Sequence, residues 1–72
     1  MLMTAAQCRM ARAALGLTLR ELSAAAGVSP NTLSRIESSD NVTSRALLKV
    51  QQALMQRGSV FEASGAVGIR SS

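Results

Sequence analysis

Between Val28 and Glu37 the chain reads SPNTLSRI, and the polar Asn31, Thr32, Ser34 and Arg35 interleave with Leu33 and Ile36 in a helical rhythm. An amide, hydroxyls and a guanidinium on one exposed face are equipment for recognition by hydrogen bonds, not for making or breaking bonds. The rest of the sequence gives catalysis little to work with. There is no histidine and no tyrosine, one cysteine and four acidic residues, so no nucleophile and base can be paired. Cys8 has no second cysteine for an internal disulfide and no histidine beside which to hold a metal. Glycines are scattered at turns and form no phosphate-cradling loop. An enzyme is not expected, and neither is a cofactor.

The elements that must position this face are legible around it. Thr18 followed by Glu21 predicts a capping box, in which the threonine hydroxyl takes the Glu21 amide and the carboxylate reaches back to the Thr18 amide. Gly27 follows an alanine-rich turn and is placed to end that helix in the left-handed conformation, which costs glycine nothing. Ser29 then precedes Pro30, an N-cap with proline at the first helical position, and a second helix is predicted over 30–37 with Leu33 and Ile36 turned inward. Two short helices joined by a glycine turn, the second with a hydrogen-bonding outer face, are the arrangement by which side chains enter the DNA major groove.

On these residues, TLRELSAAAGVSPNTLSRIE over 18–37 resembles the helix-turn-helix of the Cro/cI-type (Xre) transcriptional regulators. Leu22, Gly27, Leu33, Ile36 and Glu37 stand where that family has its core leucine, turn glycine, buried aliphatics and terminal glutamate. The resemblance extends over 4–70: TAAQCRMARAAL is similar to the first helix of a small bacterial subgroup, and GSVF and GIR to its strand-forming tail. It implies a mainly α, four-helix, lambda-repressor-like DNA-binding domain over 4–58, with a short C-terminal β-strand or hairpin over 59–72 that can serve dimerisation. It also places the opening of the chain near Met3, with Met1 and Leu2 ahead of it.

The family's DNA-facing positions carry over to Ser29, Pro30, Asn31, Thr32 and Arg35. Asn31 is suited to pair with an adenine, Thr32 to meet a thymine methyl or a phosphate, and Arg35 to reach a guanine or the backbone, while Pro30 offers apolar contact only. Ser29 and Pro30 equally well do nothing but cap the helix, and Thr32 and Ser34 fit a solvated face as readily as a DNA contact. Arg45, near the start of the fourth helix, falls where the family often touches the phosphate backbone. Two departures fall in the first helix of this pair. Leu19 replaces a glutamine that commonly bonds a phosphate, a task left to helix N-terminal amides or Arg20. Ser23 replaces an alanine packed between the helices, and its hydroxyl is expected to bond back to the carbonyl four residues earlier.

Around this centre, a first helix over 4–15 is expected, capped by Thr4 and ended at Gly16, with Cys8, Ala11, Arg12 and Leu15 on its inward stripe. Arg12 needs a partner there, and the resemblance supplies Glu37, so a shielded structural ion pair is expected, outside the DNA contacts. In the loop SSDNVT, Ser39 replaces a usual glycine, and Asp40 or Asn41 take the left-handed position next best. Thr43 should cap a fourth helix over 44–57 with Leu47, Val50 and Leu54 inward, Ala46 and Ala53 beside them, and Leu48 and Met55 on a second apolar line. Beyond Gly58, short β-prone runs over 60–63 and 67–70 flank Ser64-Gly65-Ala66, with Phe61 as anchor. Three arrangements are open for this tail: a hairpin packed on the fourth helix through Phe61 and Ile69, strands paired with a second subunit, or partial disorder; the second is favoured.

At 72 residues the chain is one small domain close to the size at which a partner subunit helps to hold the fold. A formal charge of +4 suits a polyanionic partner. Arg9 and Arg12 interrupt the apolar N-terminal stretch, so neither signal peptide nor membrane span is expected, and a lone cysteine fits the reducing cytoplasm. The expectation is therefore a cytoplasmic, nucleoid-associated regulator binding double-stranded DNA as a homodimer. The alternative is a protein-interaction regulator of the same fold, working through RNA polymerase or another regulator by its fourth helix and tail.

Overall fold

The computed structural model describes residues 2–38, 42–61 and 67–69. Four helices, α1 (Ala5–Ala14), α2 (Leu19–Ala26), α3 (Pro30–Glu37) and α4 (Ser44–Gln56), precede two strands, β1 (Ser59–Phe61) and β2 (Val67–Ile69). This is the four-helix, lambda-repressor-like architecture with a small antiparallel sheet at its C-terminal end.

Every helix begins on a hydroxyl that takes an otherwise orphaned amide. Thr4 accepts from the Gln7 amide, Thr18 from Glu21, Ser29 from Thr32 and Thr43 from Ala46. The Thr18–Glu21 box closes with bonds of 2.9 and 3.0 Å. A second, neutral box was not anticipated: the Gln7 side chain returns to the Thr4 amide at 2.8 Å. Gly27, at φ 72°, ends α2 in the left-handed region, and no atom lies within 4 Å of where a Cβ would stand. Its replacement would therefore meet backbone strain and no clash.

The core is drawn from all four helices: Cys8 and Ala11 of α1, Leu22 and Ala26 of α2, Leu33 and Ile36 of α3, Val50, Ala53 and Leu54 of α4. Leu22, Leu33, Val50 and Leu54 are sealed completely from solvent, each stabilising the fold by about 1.5–3 kcal/mol. Leu15, Leu17, Leu19, Val28 and Leu47 are half-buried against its margin, so the inward stripes of α1 and α4 are narrower than their spacing suggested. Met3 is buried too, pinned by its backbone amide donating to Gln51 Oε1 of α4 at 2.8 Å. Ser23 differs from expectation in its partner: its hydroxyl donates to the Arg20 carbonyl at 2.9 Å, three residues back. That acceptor lies at the opening of α2, within reach of a short side chain turned N-terminally.

After Gly58, β1 and β2 pair with each other in the register Ser59 with Ile69, Val60 with Gly68 and Phe61 with Val67. The strands begin one residue earlier than the β-prone run suggested on the first side, β1 lying by α4 and β2 by α1. The Ser59 side chain is buried, with no hydrogen-bond partner for its hydroxyl. Packing through the side chains of Phe61 and Ile69, the turn at Ser64-Gly65-Ala66 and the left-handed position at Asp40 or Asn41 lie outside the described residues.

Candidate nucleic-acid interface

The placement of α3 follows from what its inner face is fastened to. Leu33, Ile36 and Glu37 are buried, and at one hundred degrees per residue their burial turns Asn31, Ser34 and Arg35 outward. Glu37 is the fastening point. Its carboxylate accepts Arg12 Nε at 2.7 Å and Arg12 Nη2 at 3.0 Å, and the Cys8 thiol donates to it at 3.8 Å. Arg12 Nη1 also donates to the Leu17 carbonyl at 3.2 Å, so one guanidinium joins α1, the corner before α2 and the end of α3. Arg9, given no structural task from the sequence, donates from Nη1 to the Glu37 carbonyl. The i, i+3 spacing of Arg9 and Arg12 on a helix was the available signal for both reaching the same residue.

These contacts set local electrostatics. The guanidinium of Arg12 is held more firmly protonated by its hydrogen bonds to Glu37, against the opposing effect of its partial burial. Burial, reinforced by the neighbouring Glu37 carboxylate, pushes the Cys8 thiol up to about 12, which makes it an inert core group. At the exposed start of α2, bonds from the Thr18 amide and then its hydroxyl hold the Glu21 carboxyl below its ordinary range.

On the outer side, Ser29, Pro30, Asn31, Ser34 and Arg35 are exposed and Thr32 is half-buried. Thr32 and Arg35 are brought together with Val42, Thr43 and Ala46 around an open groove of about 340 Å³ between α3 and the start of α4. Arg20, at the start of α2, and Arg45, at the start of α4, are both exposed and outside the described lining of that groove. Leu19 is turned against the core margin, half-buried, where a phosphate-bonding side chain would have to reach outward. Ser29 combines with Thr32 in a pair of hydrogen bonds that the sequence reading of a bare cap did not include.

A family model described as helix-turn-helix, of the Cro/cI (Xre) type, matches residues 9–54, from Arg9 in α1 to Leu54 in α4. The chain belongs to that family. Members of this helix-turn-helix family are DNA-binding transcription regulators and typically not enzymes. A search of curated proteins returns no match. In this helix-turn-helix domain the matched span holds α2 and α3 whole and most of α4, begins partway along α1 and leaves the β1–β2 sheet outside.

Two further surfaces bear on partners. A shallower groove of about 190 Å³ runs between α2 and α4, lined by Ala25, Ala26, Lys49, Gln52, Ala53 and Gln56, and contains none of the expected DNA-facing residues. Leu48 and Met55 are exposed on either side of Gln51, whose bond to Met3 brings the exposed Leu2 close to the same face of α4. Among the described residues, no helix is long and apolar enough to cross a membrane, and no cluster of His, Cys, Asp and Glu could hold a metal ion.

Proposed function

We propose that this protein is a sequence-specific, DNA-binding transcription regulator that inserts α3 into the major groove, acting in the cytoplasm on the nucleoid. The domain over 4–58 supplies the DNA-reading unit and the tail over 59–72 a dimerisation element, so that two recognition helices lie about one DNA turn apart on a two-fold site. The observation that carries this is the outward set of Asn31, Ser34 and Arg35, with Thr32 at its edge, on a helix bedded by Leu33, Ile36 and Glu37. Asn31 and Arg35 read base edges. Ser29, Pro30, Thr32 and Ser34 complete the contact surface, and Arg20 and Arg45 meet phosphates from either flank.

The test is binding of the pure protein to a random duplex library at two salt concentrations, with Asn31→Ala and Arg35→Ala alongside. Phosphate contacts make affinity fall steeply with salt, and loss of a base contact costs roughly 1–3 kcal/mol and relaxes preference at one position. Enrichment of a two-fold site that Asn31→Ala blurs supports both the groove and the dimer. Weak binding erased by salt, with no preferred sequence, overturns it. A protein-interaction role is then the reading left, favoured by the exposed Leu48 and Met55 on α4's outer face, with RNA polymerase or another regulator as partner.

A further inference from the structure

The outer side of α4 divides by charge. Arg45, Lys49, Gln52 and Gln56, all exposed, recur at the spacing of one flank, while Ser44, Leu48, Gln51 and Met55 make up the other and carry no charge. Lys49 stands one turn beyond Arg45, about 6 Å along the helix axis, so the two cations form a short column from the start of α4. No described acid neutralises it. The acids among the described residues are Glu21, bonded to Thr18, and Glu37, bonded to Arg12, and α4 itself contains none. Beside Lys49 the small side chains of Ala25, Ala26 and Ala53 keep this flank open as the groove between α2 and α4.

The start of α2 is the contrasting case. There the Glu21 carboxylate takes the Thr18 amide at 2.9 Å, so an anion of the chain's own occupies the helix start that would attract a phosphate, and Arg20 has that negative charge as its neighbour in sequence. Leu19, half-buried, brings no polar group to the same place. Attraction for a polyanion is therefore stronger along α4.

We propose that Lys49 is a second phosphate contact beside Arg45, so that one strand of duplex DNA follows the charged flank of α4 for a helical turn. This rests on the reading of α3 as the DNA-binding helix. A lysine acts there as a point charge on a flexible stem, which reaches a backbone oxygen without a fixed geometry. Phosphates carry no sequence information, so Lys49 adds affinity and holds the register of the domain on the duplex equally for every sequence.

The experiment is titration of a random duplex pool, and of the site selected from it, over a series of salt concentrations. The proteins are the wild type, Lys49→Gln, Lys49→Arg, Arg45→Gln and Arg57→Gln, with Asn31→Ala as the reference for base reading. Arg57 is exposed at the far end of α4, about 12 Å beyond Lys49 along the axis, and its loss removes the same charge away from the proposed path. Lys49→Gln should weaken binding roughly two- to fivefold near 0.1 M salt, by the same factor on the pool and on the selected site. It should also flatten the slope of log affinity against log salt by about 0.9, at unchanged melting temperature. Lys49→Arg should keep the wild-type slope, and Arg57→Gln should change it less than Lys49→Gln does. An equal effect of Arg57→Gln and Lys49→Gln would reduce the role of Lys49 to net charge and overturn the inference. So would a wild-type slope in Lys49→Gln while Arg45→Gln flattens it, or a preference blurred at one position by Lys49→Gln as it is by Asn31→Ala, and each of these leaves the DNA-binding role standing. Absence of salt-dependent binding by the wild type overturns both.

Discussion

Arg12 of α1 holds Glu37, the last residue of α3, through two hydrogen bonds of 2.7 and 3.0 Å, with the Glu37 side chain 8% exposed and that of Arg12 26% exposed. The angle at which α3 leaves the domain is thus fixed at its far end by a pair whose partners lie on different helices. Such a pair contributes little over a well-packed apolar substitute, because desolvation opposes attraction, but losing one partner strands the other.

Glu37→Gln and Arg12→Met should each lower stability in urea unfolding. The loss expected is about 2–3 kcal/mol, below the 3–5 of full burial because Arg12 keeps some solvent. The double variant Arg12→Met/Glu37→Met should recover part of the loss. If Arg12→Met left stability untouched while abolishing DNA binding, Arg12 would be a DNA contact and not a structural residue.

Glu21 should make α2 sensitive to acid. Bonds from Thr18 hold its folded carboxyl below its ordinary value of 4.5, so the folded state binds that proton more weakly than the unfolded chain. The stabilisation is full above that value and is lost as pH falls through the lower folded one. Glu21→Gln keeps the box in the neutral form that Thr4 and Gln7 already use. Denaturation series between about pH 5 and 3 should show a shallower loss in Glu21→Gln than in the wild type.

Cys8 should behave oppositely at high pH. Its thiol is raised from the ordinary 9.0 to about 12, first by burial and then by Glu37. The folded chain therefore keeps this proton longer than the unfolded one, and the associated stability is full below 9.0 and lost as pH rises toward about 12. The wild type should lose stability more steeply than Cys8→Ala across that window. At neutral pH, alkylation by iodoacetamide should proceed at the rate at which the protein opens, and accelerate in urea.

Ser59 buries a hydroxyl without a hydrogen-bond partner at the first position of β1. A buried hydroxyl left unsatisfied costs about 1–3 kcal/mol. Ser59→Ala, which removes one small polar atom, should therefore raise the thermal midpoint, by an amount equivalent to about 1 kcal/mol once the lost packing is deducted. A lower midpoint would mean that the hydroxyl is satisfied in solution.

The centre of this protein was written in local residue chemistry. Thr18 with Glu21, Gly27 at φ 72°, and Ser29 with Pro30 set the ends of α2 and α3 through bonds and backbone preferences that span no more than one helical turn. The buried pair Leu33 and Ile36 followed from helical period, and family resemblance supplied Glu37 as the partner of Arg12, which composition and spacing cannot pair across so long a separation. Other features needed the folded chain. The depth of Leu15 and Leu47 depends on how closely neighbouring helices approach. The bonds of Arg9 to the end of α3 and of Met3 to Gln51 join segments remote in sequence. The Ser29–Thr32 hydroxyl pair, though local, depends on rotamers that a sequence does not specify. Leu19 makes the same point from the other side: by sequence it is a missing phosphate contact, and in the structure it is a half-buried support for the core, because burial belongs to the neighbours a side chain meets and not to the residue alone.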